Sequence, residues 1–522
     1  MIDVFNNSLF YVSIILLLSV LLSKSSNRFG LPILILFLGI GMFIGNEGFI
    51  GLEYQDYQLT HSLSLIAICL IIFSGGIMTR SEDIKPIIKT GISLSTLGVL
   101  ITTFLVGTLC YFYLKLPIYE SLLIGSILSS TDAAAVFTAF RDKDSNVSKN
   151  LKSVIEFESG SNDPMAFLLV SLFLGLHQSQ LEFGSTSLQM IILNPLMGLA
   201  GGYFIFKLFL FINDSIKLDF QGLYPALTIG FLFLTYSLTT KLEGNGFLAV
   251  YIFALQLGNA KIVHKNALIN FFDGVSWLSQ IGLFIMLGLL VVPSRLADIA
   301  PEASVIALFL VFIGRPLSVF LSTMNSNFDF KNKFFISWAG LKGATPIVFA
   351  SLVATQLGSA ANLIFDIVFF TVLISALLQG TTLKFTAKKL DLLFEAIYDP
   401  DFPIDMEVLD KTKHGIKEIL INKDDFAVGN RIIDLHLPEG ASVLFIKRSG
   451  GFILPNGSTR FESADKILAV TTEKSTLEEV VHCFKIEKDL NPQSLLDDEV
   501  ALETEEQDTE DINHEVLPDK AA

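Results

Sequence analysis

Apolar runs of about 18 or more residues recur from Ser8 to about Thr382, with short polar segments between them. A helix of that length spans the roughly 30 Å hydrocarbon core of a bilayer. The first run lacks a basic leader and a small-residue cleavage site, so we interpret it as a retained helix. We predict about thirteen membrane-spanning helices, which start near Ser8, Leu31, Thr60, Gly91, Tyr119, Lys152, Met190, Tyr224, Gly244, Phe272, Glu302, Lys333 and Ser359.

The polar segments between the predicted spans alternate in charge along the chain. The segments of one set are basic: Lys24/Arg28, Arg80/Lys85/Lys89, Arg141/Lys143/Lys149, Lys217, Lys261/Lys265, Lys331/Lys333 and Lys384/Lys388/Lys389. Because basic loops stay in the cytoplasm, this pattern places the N-terminus outside and the C-terminus inside. That orientation requires an odd number of spans, which about thirteen satisfies.

Composition agrees with a membrane protein and excludes a soluble chain of several domains. Of the 522 residues, 51% are hydrophobic and only 17% are charged. The net charge of −16 is concentrated in residues 487–522, where thirteen acidic residues stand against Lys488 and Lys520. We predict that this tail is disordered. The three cysteines follow no metal-binding or disulfide spacing, and no cofactor is expected.

Two aspartates fall at membrane depth in neighbouring predicted spans. Asp132 lies roughly 13 Å and Asp163 roughly 16 Å from the cytoplasmic end of its span, at 1.5 Å per residue. A charged side chain at the bilayer centre costs at least about 2.5–3.5 kcal/mol, so such residues indicate function. Before any family is considered, two such carboxylates predict a cation pathway.

The sixth span concentrates polar side chains around Asp163. Ser159 and Asp163 share one helix face, and Glu158 and Asn162 share another. Pro164 has no N–H and frees the carbonyl group four residues earlier, which predicts a broken or weakened helix. Freed carbonyls at this depth are tolerated where they line a cavity or are buried in protein.

The twelfth span repeats this theme in the opposite direction. Lys342 and the Thr345-Pro346 break lie at similar depth, and spans 5 and 12 run antiparallel because they are seven apart. Two interrupted helices in corresponding positions indicate inverted repeats, here spans 1–6 and 8–13, with the binding site between them. Asp132 can neutralise the positive end of one half-helix and Lys342 the negative end of another.

Five motifs in this part of the chain carry a family resemblance. They are Ser130-Thr131-Asp132, Phe157-Glu158-Ser159-Gly160-Ser161-Asn162-Asp163-Pro164, Gly314-Arg315-Pro316, Gly340-Leu341-Lys342-Gly343-Ala344 and Leu378-Gln379-Gly380. Over roughly residues 5–390 the chain resembles the NhaP-like monovalent cation/proton antiporters, in the branch with Asn-Asp in the sixth helix. It is similar in particular to bacterial potassium/proton antiporters of the CvrA type. The resemblance implies a homodimeric transporter of the bacterial inner membrane with an NhaA-like fold, and not an enzyme.

The resemblance also implies roles for individual residues. Asp163 would bind cation and proton in alternation, and the surrounding cation-binding residues would be Asn162, Asp132, Thr131 and Ser159. Glu158 would pair with Lys342, a position at which the family usually has Arg, and Arg315 would be a further structural ion-pair partner.

The same residues suit exchange of a monovalent cation, K⁺ or Na⁺, for a proton. Hard monovalent cations prefer oxygen ligands, which carboxylate, hydroxyl, amide and carbonyl groups supply. If Asp163 titrates near physiological pH, proton and cation compete for one carboxylate. With a neutral Asn beside it, that competition predicts one cation for one proton and therefore electroneutral exchange.

The composition changes after the membrane part, which we assign to residues 1–390. Residues 404–486 alternate short apolar runs with turns and end in a helical pattern, which predicts a small α+β domain. The segment from Val428 to Leu435, followed by Pro438-Glu439-Gly440, resembles the TrkA-C module of potassium-conductance regulators. This resemblance implies cytoplasmic regulation, dimerisation and a bias toward potassium. Any regulatory ligand of the domain would be a small molecule, and no nucleic-acid partner is expected.

Two other classes are compatible with parts of the pattern. An intramembrane aspartyl protease would use Asp132 and Asp163, but it requires a Gly-x-Gly-Asp signature, and Asp163 follows Gly160-Ser161-Asn162. A potassium channel-like uptake subunit would need repeated carbonyl-lined filter loops, which the sequence lacks. Antiport is favoured over both.

Overall fold

The computed structural model describes residues 13–21, 33–54, 56–138, 140, 147–178, 184–216, 220–260, 262, 264–393, 415–422, 425–448, 451–472 and 476–485. The chain forms two compact units, Met1–Ile397 and Tyr398–Ala522. The tail 487–522 and the expected domain start at residue 404 lie outside the described residues.

The first unit is built from helices. Residues 13–21 are helical, and the further helices are Ile33–Ile44, Tyr57–Met78, Ser81–Ile84, Ile88–Leu114, Lys149–His177, Ser185–Ser215, Leu223–Lys241, Gly246–Asn259, Lys265–Leu289, Pro293–Ser322, the short 3₁₀ turn Gly358–Ala361, and Asn362–Lys389. Two more helices are interrupted: the first consists of Ile118–Ile127 and Ala133–Thr138, the second of Phe330–Trp338 and Ala344–Leu357. In the described part of the chain, seven helices are long and apolar enough to cross a bilayer.

These helices pack in two groups. One group, which we call the panel, consists of Ile33–Ile44, Tyr57–Met78, Ser185–Ser215, Leu223–Lys241, Gly246–Asn259 and Lys265–Leu289. The other, which we call the bundle, consists of Ile88–Leu114, the two interrupted helices, Lys149–His177, Pro293–Ser322 and Asn362–Lys389. The two groups meet where Lys149–His177 packs on Gly246–Asn259 and where Ala344–Leu357 packs on Tyr57–Met78.

Small residues set the closest approach within the panel. A methyl group added at Gly41 would lie 2.2 Å from the Ile285 carbonyl oxygen, and one added at Gly288 would lie 2.3 Å from the Leu38 carbonyl oxygen. The helices Ile33–Ile44 and Lys265–Leu289 therefore touch backbone to backbone, as small residues allow in membrane helices.

Several details of the helices differ from the sequence-based expectation, among them the start of the tenth predicted span, which lies at Lys265 rather than near Phe272. The helix Lys149–His177 is continuous through Pro164, so the break expected there is wrong. Proline is tolerated within a membrane helix when neighbouring helices satisfy the freed groups. The eleventh predicted span begins at Pro293 rather than near Glu302. Proline suits the first helical position. The charge of Arg295 is accepted in this helix because its Nε lies 3.2 Å from Asp366 Oδ2.

The second unit is a four-stranded antiparallel sheet with one helix. The strands are β1 (Gly415–Leu420), β2 (Ala441–Arg448), β3 (Gly451–Ile453) and β4 (Lys466–Thr471), in the order β1-β4-β2-β3. A short 3₁₀ turn, Ile432–Leu435, precedes β2, and the helix Thr476–Lys485 follows β4. The helix buries Val480 and Phe484, and Phe484 packs edge-on against Phe461 at 5.4 Å between ring centres. The expected small α+β domain is confirmed.

The panel contact gives a direct stability test. Gly288→Ala should lower the melting temperature in detergent, because the added methyl group meets the Leu38 backbone and overpacking costs about 1–3 kcal/mol. Gly282→Ala is the matched control on the same helix, since nothing lies within 4 Å of a methyl group there. Equal melting temperatures for the two variants would contradict the backbone contact.

Candidate functional site

The interruptions of the two broken helices lie against each other. Residues 128–132 separate the halves of the first helix and residues 339–343 those of the second, and we call these two segments the crossing. The Asp132 N–H donates to the Leu341 carbonyl oxygen at 2.9 Å. A Cβ atom at Gly343 would lie only 2.5 Å from Asp132 Cβ. A glycine at position 343 is therefore needed for the two segments to approach so closely.

Charged side chains occupy the half-helix ends that meet at the crossing. Lys342 is 2% exposed, and its Nζ donates to the carbonyl oxygens of Ser130 at 2.9 Å and Ser129 at 3.4 Å. Asp132 Oδ1 accepts a hydrogen bond from the Ala135 N–H at 3.1 Å, in the first turn of the next half-helix. The positive Lys342 side chain thus contacts carbonyl groups at a helix C-terminus, and the negative Asp132 side chain contacts N–H groups at a helix N-terminus. Each charge is opposite to the partial charge of the helix end that it contacts, which stabilises both.

The Asp163 carboxylate connects its own helix to both interrupted helices. It is buried, and Ser130 Oγ, in the first interruption, donates to its Oδ1. Thr345 Oγ1, in the second interrupted helix, donates to its Oδ2 at 3.0 Å. Each carboxylate oxygen therefore has one hydroxyl partner, and the two hydroxyls come from opposite sides of the crossing.

Ser159 and Asn162 fasten the first interruption to the Asp163 helix. Asn162 is fully buried, and its Nδ2 donates to Thr131 Oγ1 at 2.6 Å. Ser159 Oγ donates to the Thr131 carbonyl at 3.0 Å and accepts from the Ala133 N–H at 2.9 Å. The five residues implied as cation-binding from the sequence thus lie together at one place, in two short segments.

The second interruption is held by the last membrane helix. Ser375 Oγ accepts from the Lys342 N–H at 3.1 Å and donates to Gln379 Oε1 at 2.6 Å. Gln379 Nε2 donates to the Trp338 carbonyl at 2.9 Å, at the end of the preceding half-helix. Gln379 lies in the π-helical turn Ala376–Gly380. Turns of this kind are often found at functional sites.

Sequence reasoning did not select Ser130, Ser375 or Gln379 as site residues. Ser130 and Gln379 both lie inside motifs that carried the family resemblance, so the motifs held the signal. Ser375 had no such signal, because its role follows from the packing of two helices that only the folded structure brings together.

The pairing expected for Glu158 is wrong. Its partner is Arg315 rather than Lys342, with 2.6 Å between Arg315 Nη1 and Glu158 Oε1, and both side chains are buried. Arg315 follows a π-helical turn and crosses Gly340, where an added Cβ would lie 2.3 Å from Arg315 Nε. Lys342 instead donates hydrogen bonds to carbonyl oxygens of the crossing.

The Thr345-Pro346 pair does not itself form the break in the second interrupted helix. The interruption precedes it, and both residues lie in the first turn of Ala344–Leu357. Proline is accepted there because a first-turn N–H has no helical partner. Thr345 is thus placed with its hydroxyl on Asp163.

The chemistry of this site suits a hard monovalent cation as a substrate. Its atoms are carboxylate, hydroxyl, amide and carbonyl oxygens, without sulfur or imidazole. Within the residues that the structure describes, no group of three or more His, Cys, Asp or Glu side chains forms a metal cluster.

Comparison with known proteins agrees with this geometry. The profile of the family described as "Sodium/hydrogen exchanger, transmembrane" matches residues 13–389. The chain belongs to this family. The TrkA-C domain profile matches residues 416–481, in the second unit. The predicted resemblance is confirmed, and membership in a transporter family favours neither the protease nor the channel alternative.

Individual relatives cover most of the chain. It is 34% identical over 486 residues to the K(+)/H(+) antiporter NhaP2 of Shewanella oneidensis, covering 92% of this chain and 83% of the relative. It is 34% identical over 474 residues to the K(+)/H(+) antiporter NhaP of Alkalimonas amylolytica, covering 90% and 82%. The solved structure of the sodium proton antiporter MjNhaP1 from Methanocaldococcus jannaschii matches with a TM-score of 0.64 at 25% identity, covering 72% of this chain and 99% of that one.

The Glu158–Arg315 pair makes a testable contribution to stability. Arg315→Gln should lower the melting temperature strongly, because an unpaired buried charge costs about 3–5 kcal/mol. Glu158→Gln combined with Arg315→Gln should regain most of that loss, since no charge is left unpaired. Lys331→Gln is the control, because Lys331 and its partner Asp391 are both exposed and the loss of that pair should cost little. A double variant no more stable than Arg315→Gln alone would show that the charges do not compensate each other.

Proposed function

We propose that this chain is a monovalent cation/proton antiporter that exchanges K⁺ for H⁺, with Asp163 binding either ion in competition. The observation that carries the proposal is the position of the Asp163 carboxylate, which is buried and hydrogen-bonded to hydroxyls of both interrupted helices. An ion bound there would contact all three elements whose relative movement could open the site to one side or the other.

The two hydroxyls let one site hold two different ions. A hydroxyl group has one donor and two acceptor lone pairs, and its hydrogen rotates. Here Ser130 and Thr345 both donate to the carboxylate. When a cation binds to Asp163, the same hydroxyls can turn a lone pair toward it. When a proton binds instead, one hydroxyl can accept a hydrogen bond from the carboxyl O–H.

The charges around the crossing support a one-for-one exchange. Three carboxylates, the half-buried Asp132 and the buried Glu158 and Asp163, face two buried cations, Arg315 and Lys342. With each group in its ordinary ionised form, one negative charge is left unbalanced. A single proton or a single monovalent cation removes it, and in a low-dielectric interior a second would be opposed. Exchange would then be electroneutral.

Potassium is proposed as the cation on the basis of the relatives. Those named K(+)/H(+) antiporters are 34% identical to the chain over about nine tenths of its length. The Na(+)/H(+) antiporter 1 of Methanocaldococcus jannaschii is 28% identical over 66% of the chain. The TrkA-C match in the second unit points in the same direction.

The transport cycle would follow alternating access by inverted repeats in the bacterial inner membrane. The helices that we assign to spans 2, 3 and 8–10 supply the panel, with span 7, and those of spans 4–6 and 11–13 supply the bundle. This repeated division supports about thirteen spans in two inverted halves and an NhaA-like arrangement. The positive-inside pattern supports an external N-terminus and a cytoplasmic C-terminus.

The TrkA-C domain would regulate exchange rather than carry it out. It is matched at residues 416–481, beyond all the proposed cation-binding residues. We propose a division into a membrane exchanger of residues 1–390, a cytoplasmic regulatory domain of residues 404–486 that binds a small ligand, and an acidic tail of residues 487–522. A homodimer, as the resemblance implies, would bring two regulatory domains together.

Asp163→Asn should abolish cation-driven proton movement, because it removes the carboxylate that both ions need. The measurement is dequenching of a pH-sensitive dye in everted vesicles after addition of K⁺, Na⁺ or Li⁺ in turn. Wild-type vesicles should respond most strongly to K⁺, at a rate independent of a clamped membrane potential.

Matched variants separate the possible outcomes. Asp163→Glu should retain some exchange with altered apparent affinity, since the charge persists but the carboxylate reaches further. Asp163→Asn vesicles that exchange at the wild-type rate would refute the carrier assignment. A wild-type rate that follows voltage would rule out electroneutrality, with Asp132 and Glu158 as the first candidates for a second titrating group.

Deleting residues 398–522, the second unit, should preserve exchange but shift its dependence on pH or ion concentration. The first unit contains every proposed ligand of the cation. Deleting only residues 491–522 is the control and should change little, because a highly charged, apolar-poor tail contributes little to folding. A well-inserted 398–522 deletion without exchange at any pH or salt concentration would make the domain obligatory for transport.

A further inference from the structure

Asn245 joins the panel to the bundle beside the proposed carrier residue. It is 2% exposed and precedes the panel helix Gly246–Asn259. Its Nδ2 donates to the Pro164 carbonyl oxygen at 2.8 Å, and Pro164 directly follows Asp163. One buried side chain of the panel therefore holds the backbone of the bundle helix at the level of the site.

The panel fixes the orientation of Asn245. Its Oδ1 caps the helix by accepting from the Leu248 N–H at 3.0 Å, which turns the amide nitrogen toward Pro164. Its own N–H donates to the Asn194 backbone carbonyl at 2.9 Å, a bond that does not involve the Asn194 side chain. The donor that reaches the bundle is thus held by two helices of the panel.

Aromatic contacts between panel and bundle flank this bond, and polar contacts also cross elsewhere, such as Tyr57 Oη donating to Asn362 Oδ1 at 3.4 Å. Tyr251 packs against Gly160, where a methyl group would lie 2.6 Å from the Tyr251 ring. Phe247 meets Phe167 edge-on, with 5.0 Å between ring centres. Apolar surfaces can slide over one another at little cost, whereas a hydrogen bond is lost within a small displacement.

We propose that Asn245 is a positioning residue for transport. Its bond to the Pro164 carbonyl stabilises one orientation of the bundle relative to the panel. The bond therefore affects the fraction of molecules in which the cation site is open to each side of the membrane. The inference rests on the proposed function, because it requires the Asp163 helix to move against the panel during exchange. Asn245 acts through the backbone next to Asp163 and does not itself bind the ion.

The test removes the bond to the bundle and keeps the helix cap. In Asn245→Ser the hydroxyl still caps the helix but is too short to reach Pro164. Loss of one hydrogen bond, about 1 kcal/mol, shifts a two-state equilibrium by about fivefold. Half-saturating K⁺ concentrations are measured in right-side-out and inside-out vesicles. They should change in opposite directions, each by up to about fivefold, because one orientation is depopulated and the other is populated.

Two further variants make the result decisive. Asn245→Thr also keeps a neutral capping oxygen and loses the amide donor, so it should shift both values in the same sense as Asn245→Ser. It replaces the serine variant as the test if that variant does not insert. Asn194→Ser is the matched control, since it removes a bond between Asn194 and Glu243 that lies within the panel. It should leave both values at the wild-type level.

Each remaining outcome overturns a distinct claim. Unchanged K⁺ values for both Asn245 variants, with Asp163→Asn inactive, would overturn the positioning role and leave the proposed function intact. A change in the same direction on both sides, with a lower melting temperature, would show that Asn245 only supports folding and would also overturn the positioning role. Active Asp163→Asn vesicles would instead remove the proposed function on which the inference rests.

Discussion

Two helices stop and restart inside a membrane domain, and the backbone groups freed at their ends must find partners there. A buried N–H or carbonyl group without a partner costs several kcal/mol in an apolar medium. Lys342 donates hydrogen bonds to the carbonyls of one interruption. Ser375 accepts from an N–H group of the other interruption, and Gln379 donates to the carbonyl group that precedes it. The hydroxyls on Asp163 come from the segments that these bonds hold in place. The proposed cation site therefore depends on how the interruptions are satisfied.

The sequence predicted the parts of this arrangement that are costly to place in a membrane. Asp132, Asp163 and Lys342 were visible because a charge within an apolar run is rare and expensive. The two interrupted helices followed from polar and helix-breaking residues at matching depth, and the small α+β domain followed from a change in hydrophobic period. In each case the signal is local, so it can be read from one segment without knowing which other segment lies beside it.

The parts that sequence reasoning missed depend on contacts between distant segments. Glu158 was expected to pair with Lys342, but Arg315 reaches it by crossing Gly340, a route that exists only after three helices have packed. Pro164 was expected to break its helix, yet the helix continues. Local propensity predicts a break at proline, and only the tertiary environment decides whether the helix continues.

Asn162 shows how one residue can meet two demands of this site. Its amide donates to Thr131 Oγ1, which fastens the first interruption to the Asp163 helix. An ionised aspartate at position 162 has no donor and could not make this bond unless the Thr131 hydroxyl turned to donate. It would also add a fourth carboxylate around the two buried cations and leave two negative charges unbalanced. The neutral amide thus keeps the crossing assembled and, in the proposed function, leaves a single charge for one proton or one cation to neutralise.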